Sequence, residues 1–157
     1  MSKLKSLLAA AAICVLPAAA SAQAGCAVPP NAKAELSELM QRINGLRASK
    51  GLNPLRFTAT LANAAEGHAC RMAVTGYWGH GGSPKSRMRA AGCRAGATGE
   101  AIAKGFRDGG RTFDLWYNSP GHYRIMTMRG ATYAGLAVAV DADGGDPHWV
   151  LDVSNRC

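Results

Sequence analysis

Residues 133–154 read YAGLAVAVDADGGDPHWVLDVS, and this run decides what kind of fold the chain adopts. Tyr133, Gly135, Ala137 and Ala139 alternate with Ala134, Leu136, Val138 and Val140, a period of two that belongs to a β-strand. HWVLDVS is a second β-rich run. The stretch between them, Asp141 to Pro147, is rich in Asp and Gly and reads as the loop of a hairpin. Asp141, Asp143 and Asp146 suggest calcium ligands, but no Glu closes the motif at the EF-hand spacing, so the loop is read as a solvated turn.

Upstream the period is that of a helix. From Ala34 to Lys50, Leu36, Leu39, Met40, Ile43 and Leu46 fall on one face, and Gly51 ends the run. Leu61, Ala65, His68, Ala69 and Met72 repeat the pattern as far as Thr75, with Thr58 as the N-cap. SPKSRMRAAG predicts a short third helix, opened by Ser83 and Pro84 and closed by Gly92. Thr112 to Tyr117 is helical in character, and Asn118-Ser119-Pro120-Gly121-His122 reads as a tight turn that aims His122. Helices followed by an antiparallel hairpin make an α+β chain.

The first residues are set apart from this fold. Lys3 and Lys5, the apolar run Leu7 to Ala20, and Ala20-Ser21-Ala22 read as a signal peptide, residues 1–22, too short to be a membrane anchor. A lipoprotein box at Ala24-Gly25-Cys26 is disfavoured because Gln23 stands where an apolar residue is expected. Cleavage takes 22 residues from 157, leaving 23–157 as one domain of ordinary size, secreted or periplasmic. It also removes two lysines and lowers the formal charge from +8 to +6. That balance favours anionic surfaces such as envelope polymers or lipid head groups, while scattered arginines and tryptophans argue against nucleic acid as a partner. Trp78, Trp116 and Trp149 are read as core residues.

Cys26, Cys70, Cys93 and Cys157 remain, an even count that in an exported chain predicts two disulfides. Three pairings are possible. The expected one is Cys70 with Cys93, closing a local loop, and Cys26 with Cys157, tying the ends.

The order of motifs resembles the bacterial branch of the CAP superfamily, the SCP-like domains of cysteine-rich secretory proteins, antigen 5 and pathogenesis-related 1. The resemblance runs through INGLRASKGLNPL, LANAAEGHACRMAVTGYWGH, SPKSRMRAAG, GEAIAKG, WYNSPGHYRIM, YAGLAVAV and HWVLDVS, nearly the whole chain after residue 22. It implies a three-layer α-β-α sandwich with a central antiparallel sheet. It also implies a cleft gathering two His and two acidic residues, whose histidines hold a divalent metal in some members.

Carried over residue by residue, His80 ends GYWGH, Glu100 is the acid of GEAIA, and His122 ends the Ser-Pro-Gly turn. The fourth position departs from the pattern. Arg111 stands five residues before Trp116, where family members often have Glu, and Asp114, on the same helix face, is the candidate substitute. Ala101 replaces the usual Asn after the Glu.

Two imidazoles and a carboxylate suit Zn2+ or another divalent metal, with His80 and His122 as ligands and Glu100 as ligand or general base, the one catalytic candidate. Without metal the same group, with Asp114, would hold a small polar or lipid ligand. The expectation is therefore a monomeric, non-membrane-spanning binding module with a metal, small-molecule or anionic-polymer partner. The alternative is a metal-dependent hydrolase of peptides or envelope polymers. His68 is read as a structural helix residue and His148 as surface. Ser119 lacks the Gly-x-Ser-x-Gly elbow of a serine nucleophile.

Overall fold

A computed structural model describes residues 25–157, so the signal-peptide reading of residues 1–22 lies outside the described residues. The elements follow the chain as β1 Cys26–Ala27, α1 Ala32–Ser49, β2 Arg56–Phe57, α2 Ala59–Thr75, α3 Pro84–Ala90, β3 Thr98–Lys104, α4 Gly109–Tyr117, α5 Pro120–Met126, β4 Tyr133–Asp141 and β5 His148–Ser154. The strands lie in the order β1-β4-β5-β3, each antiparallel to its neighbour, and β2 adds a short parallel pair to β4. The expected hairpin is β4 and β5, with Leu136 opposite Leu151 and Ala137 opposite Val150.

Both faces of the hairpin are covered, which is why all residues from Ala134 to Val140 and from His148 to Ser154 are buried. On one face Ala101, Ala103, Leu136, Val138 and Leu151 pack under Leu39 and Ile43 of α1, Trp116 of α4 and Met126 of α5. On the other face Ile102, Ala137, Ala139 and Val150 pack under Ala65, Ala69 and Met72 of α2. The result is the expected α-β-α sandwich. Small residues set its thickness: a Cβ on Gly135 would collide with the backbone of Leu61, so only glycine lets the start of α2 lie on β4. Full burial of Leu39 and Ile43 contributes about 1.5–3 kcal/mol each.

The helix ends follow the sequence chemistry. Thr58 accepts from the Leu61 amide and Ser83 from the Ser86 amide, as Ncap hydroxyls do. Asp108 does the same for Arg111, which starts α4 three residues before the expected Thr112. The Asn118–His122 stretch is not a free-standing turn. Ser119 is the N-cap position and Pro120 the first residue of α5, so Pro serves as a helix starter, and Gly121 is not among the glycines with positive φ. His122 is aimed by a helix.

The disulfide pairing also differs from expectation. Cys26 bonds Cys70 and Cys93 bonds Cys157, with Cα separations of 5.4 and 4.5 Å. Strand pairing explains both. β1 is laid along β4 beneath α2, which brings Cys26 to Cys70. β5 delivers the C-terminus beside the turn after α3, where Asn155 donates its amide to the Ala97 carbonyl. Closeness in sequence was the wrong guide to the bond.

Candidate functional site

β3 is an edge strand, and the polar groups of interest gather there from both helical layers. Glu100 lies on the sheet face that α2 covers, 6% exposed. A carboxylate this buried needs partners, and two basic side chains supply them. Oε1 accepts from Nδ1 of His80 at 2.6 Å, and Oε2 accepts from Nη2 of Arg87. Because an ionised carboxylate only accepts, the proton of that first bond sits on His80 Nδ1, and in the neutral ring Nε2 keeps its lone pair. The His80 side chain is 53% exposed, so that lone pair belongs to the open end of the network.

Three elements hold this arrangement. The loop after α2 is bent by Gly79, Gly81 and Gly82, all with positive φ, which returns His80 toward the sheet. Arg87 on α3 ties the loop down from below, donating Nη1 to the His80 carbonyl at 2.6 Å as well as bonding Glu100. His68 on α2 donates Nε2–H to the Gly79 carbonyl at 3.0 Å and stands 3.9 Å from Glu100. Burial holds the His68 imidazole below its ordinary pKa, so it is a neutral prop, in keeping with the structural role expected of it.

His122 arrives from the opposite layer, on α5, with its ring 6.4 Å from that of Trp116. Burial depresses its pKa, and a protonated His80 would depress it further. Its Nδ1 is buried without a hydrogen-bond partner among the described residues. Asp152 sits opposite Glu100 in the β3–β5 register, is fully buried, and as the protonated acid has the Glu100 carboxylate as its hydrogen-bond partner. Burial, and then the neighbouring Glu100 charge, push its carboxyl up to about 8, so at neutral pH it is largely the uncharged acid.

The structure thus brings His80 and Glu100 into contact and His122 to the same edge. Asp114 is exposed on α4, where it lines a shallow concavity with Arg111, Leu115 and Asn118, and no hydrogen bond or ion pair joins its side chain to His80, Glu100 or His122. Arg87 and Asp152 were missed from sequence. The signal for Asp152 was present: an acid alternating with apolar residues inside HWVLDVS is placed on a buried face. For Arg87 no sequence signal separates it from its neighbours. His148 is not surface but 4% exposed, and Trp78, read as core, is 48% exposed with its ring 6.0 Å from His148.

A metal needs converging donors, and among the described residues no group of three or more His, Cys, Asp or Glu side chains is placed to hold one. Glu100 explains part of this, since both its oxygens are engaged. The donor set present is His80, whose tautomer Glu100 fixes, and His122 on α5. It does not fit the three-ligand centre of a hydrolytic zinc site.

The CAP model, described as the cysteine-rich secretory protein family, matches residues 40–153, more than half the chain. A Bacillus subtilis (strain 168) relative named uncharacterized membrane protein YlbC is 29% identical over 105 residues, 64% of this chain and 30% of that protein. The chain therefore spans less than a third of that relative's length. Among solved structures, an outer surface protein of Borrelia burgdorferi aligns with TM-score 0.71 at 23% identity, covering 80% of this chain and 95% of that one. An SCP-domain extracellular protein of Bacillus anthracis str. Ames gives 0.69 at 22%, covering 82% and 44%. NaASP2, crystallised with Zn2+, gives 0.59 at 13%, covering 82% and 84%.

Proposed function

The chain belongs to the cysteine-rich secretory protein (CAP) family, and on that premise we propose that residues 23–157 act outside the cytoplasm as a binding module. Its ligand contact is the imidazole pair His80 and His122. Export is supported by the two disulfides, by the outer-surface and extracellular proteins of the same fold, and by the signal-like start of the sequence. Among the described residues no helix is long and apolar enough to cross a membrane.

The observation that carries the binding reading is the double engagement of Glu100. An acid whose side chain is 1% exposed, bonded to His80 on one oxygen and Arg87 on the other, is shielded from any solvent water whose proton it could take. That suits a positioning group better than a general base, and it favours the binding reading over the hydrolase one. Through its bond to Nδ1, Glu100 leaves Nε2 of a neutral His80 with its lone pair outward, and burial favours the neutral form of the His122 ring. Two neutral imidazoles take a borderline cation, zinc or copper, ahead of magnesium or calcium. With two nitrogen ligands and the rest of its sphere open, such an ion is held far more weakly than in a closed structural site, and it presents free positions to a polar ligand.

Calorimetric titration with zinc at pH 7.5 and 5.5 tests this. Wild type is expected to take up one ion at pH 7.5 and to lose most uptake at pH 5.5, because a protonated imidazole cannot ligate. His80→Ala and His122→Ala are each expected to abolish uptake. Unchanged uptake in both variants sinks the proposal.

A further inference from the structure

At the far end of the sheet from β1, three arginines from separate parts of the chain share one place. Arg56 lies on β2, Arg94 follows Cys93, and Arg156 precedes Cys157. Together with Thr132, Tyr133 and Asn155 they line an open concavity of about 440 Å3. The Cys93–Cys157 bridge brings two of these cations together, since each sits next to one of its half-cystines. Like charges gathered this way repel, and the usual remedy is a carboxylate among them. None is present. No Asp or Glu lines the concavity, and among the described residues none of the three guanidiniums makes an ion pair, the terminal carboxylate included. Residues 1–24 contain no Asp or Glu either.

Two of the arginines are also held. The Arg56 guanidinium lies over the Tyr133 ring, 4.6 Å from its centroid, and donates Nη2 to the Tyr133 hydroxyl at 2.7 Å. The Arg156 guanidinium lies against the bare backbone of Gly96, where a Cβ would come within 3.0 Å of Nη2. Asn155 accepts from the Ala97 amide through Oδ1, so its Nδ2 faces away as a donor with no partner among the described residues. All three arginines are exposed, so their guanidiniums are open to a ligand from solvent.

We propose that this concavity binds a phosphate group. Three guanidinium forks, an amide and the Thr132 hydroxyl exceed what the two oxygens of a carboxylate accept. They match the three oxygens and near-double charge of a phosphate. The site is separate from the His80–His122 contact, and neither depends on the other.

The test is calorimetric titration of the full chain, both disulfides intact, with inorganic pyrophosphate at low ionic strength. Saturable one-to-one binding is expected, weakened about tenfold by Arg94→Gln and by Arg156→Gln, on the order of one charge-assisted contact each. Lys33→Gln, which removes an exposed cation from α1, is expected to bind like wild type. Zinc uptake and melting temperature of Arg156→Gln are expected to match wild type, which separates this site from the imidazole pair and from unfolding. Co-sedimentation with phosphatidylglycerol vesicles in the same variant order identifies a lipid head group as the source. Pyrophosphate binding without vesicle binding identifies a free or polymer-borne phosphate, and either result upholds the site. No saturable pyrophosphate binding, or equal weakening by Lys33→Gln, overturns it.

Discussion

Two buried charged networks sit in this small domain, and they are built to opposite rules. Arg47 on α1 is fully buried and spends its guanidinium on four carbonyls: Asn53 at 2.8 Å, Met126 at 2.9 Å, Met128 at 3.2 Å and Ala131 at 3.1 Å. Among the described residues it pairs with no carboxylate, and it staples α1 to the segment that leads from α5 into β4. Glu100 is nearly as enclosed, but its network runs outward through His80 to solvent, and His122 Nδ1 at the same edge has no partner among the described residues. A closed polar network anchors a fold. One with unspent atoms at an open edge is what a binding site looks like before its ligand arrives.

The largest expected effect tests the closed half of the comparison. Arg47→Met should cost about 3 kcal/mol or more in urea denaturation, because several buried carbonyls lose their donor together. A loss under about 1 kcal/mol would mean that water replaces the guanidinium and that Arg47 is not an anchor.

Glu100→Gln comes next. It should cost about 1.5–3 kcal/mol by losing a charge-assisted bond to Arg87, and it should also abolish zinc uptake by freeing the His80 ring. Normal uptake in this variant would remove the positioning role.

A smaller effect, of opposite sign, belongs to Asp152. Its carboxyl titrates at about 8 in the folded protein and near 3.8 when unfolded. Between those values the folded chain holds the extra proton, so this group's stabilisation is complete below about pH 4 and is lost as pH rises to about 8. Asp152→Asn should therefore raise the melting temperature at pH 7.5, by about 3 °C for each kcal/mol recovered. It should also flatten the decline between about pH 4 and 8. The buried histidines pull the other way. His68, His122 and His148 all have depressed pKa values, chiefly from burial, so below about pH 6.5 the unfolded chain takes up protons the folded one refuses, and stability falls with acid. Asp152→Asn leaves only that acid limb, and a variant whose stability still declines from about pH 6.5 to 8 would contradict the assignment.

The smallest effect is expected at Asp114. Asp114→Asn should change stability by less than about 0.5 kcal/mol and leave zinc uptake as in wild type, since the residue is exposed and touches none of the imidazole pair. Weakened uptake would bring Asp114 into the site after all.

Much of this was legible in the sequence, and the reasons are local. The hairpin, α1, α2 and α3 declare themselves because period, cap and turn residues are neighbours in the chain: Thr58, Ser83 and Pro84 act within one helical turn of where they stand. His80, Glu100 and His122 were found through the motif order rather than through any pattern that places them together. What stayed hidden depends on contacts between distant segments. The disulfide partners follow from β1 lying on β4, and Arg87 follows from how α3 sits beneath the glycine-bent loop. Asn118–His122 was misread for a different reason: Pro before Gly is equally at home in a turn and in the first turn of a helix, and only the packing of α5 on β3 decides between them.

The central claim is that Glu100 orients His80 so that Nε2, and not Nδ1, faces the ligand. Long-range 1H–15N correlation spectra of the imidazole rings, recorded at pH 7.5 with and without zinc, test it most directly. The proton of neutral His80 is expected on Nδ1 in the free protein, with a zinc-induced shift at His80 Nε2 and at His122. A free protein with the proton on Nε2, or zinc that leaves both rings unshifted, would contradict it.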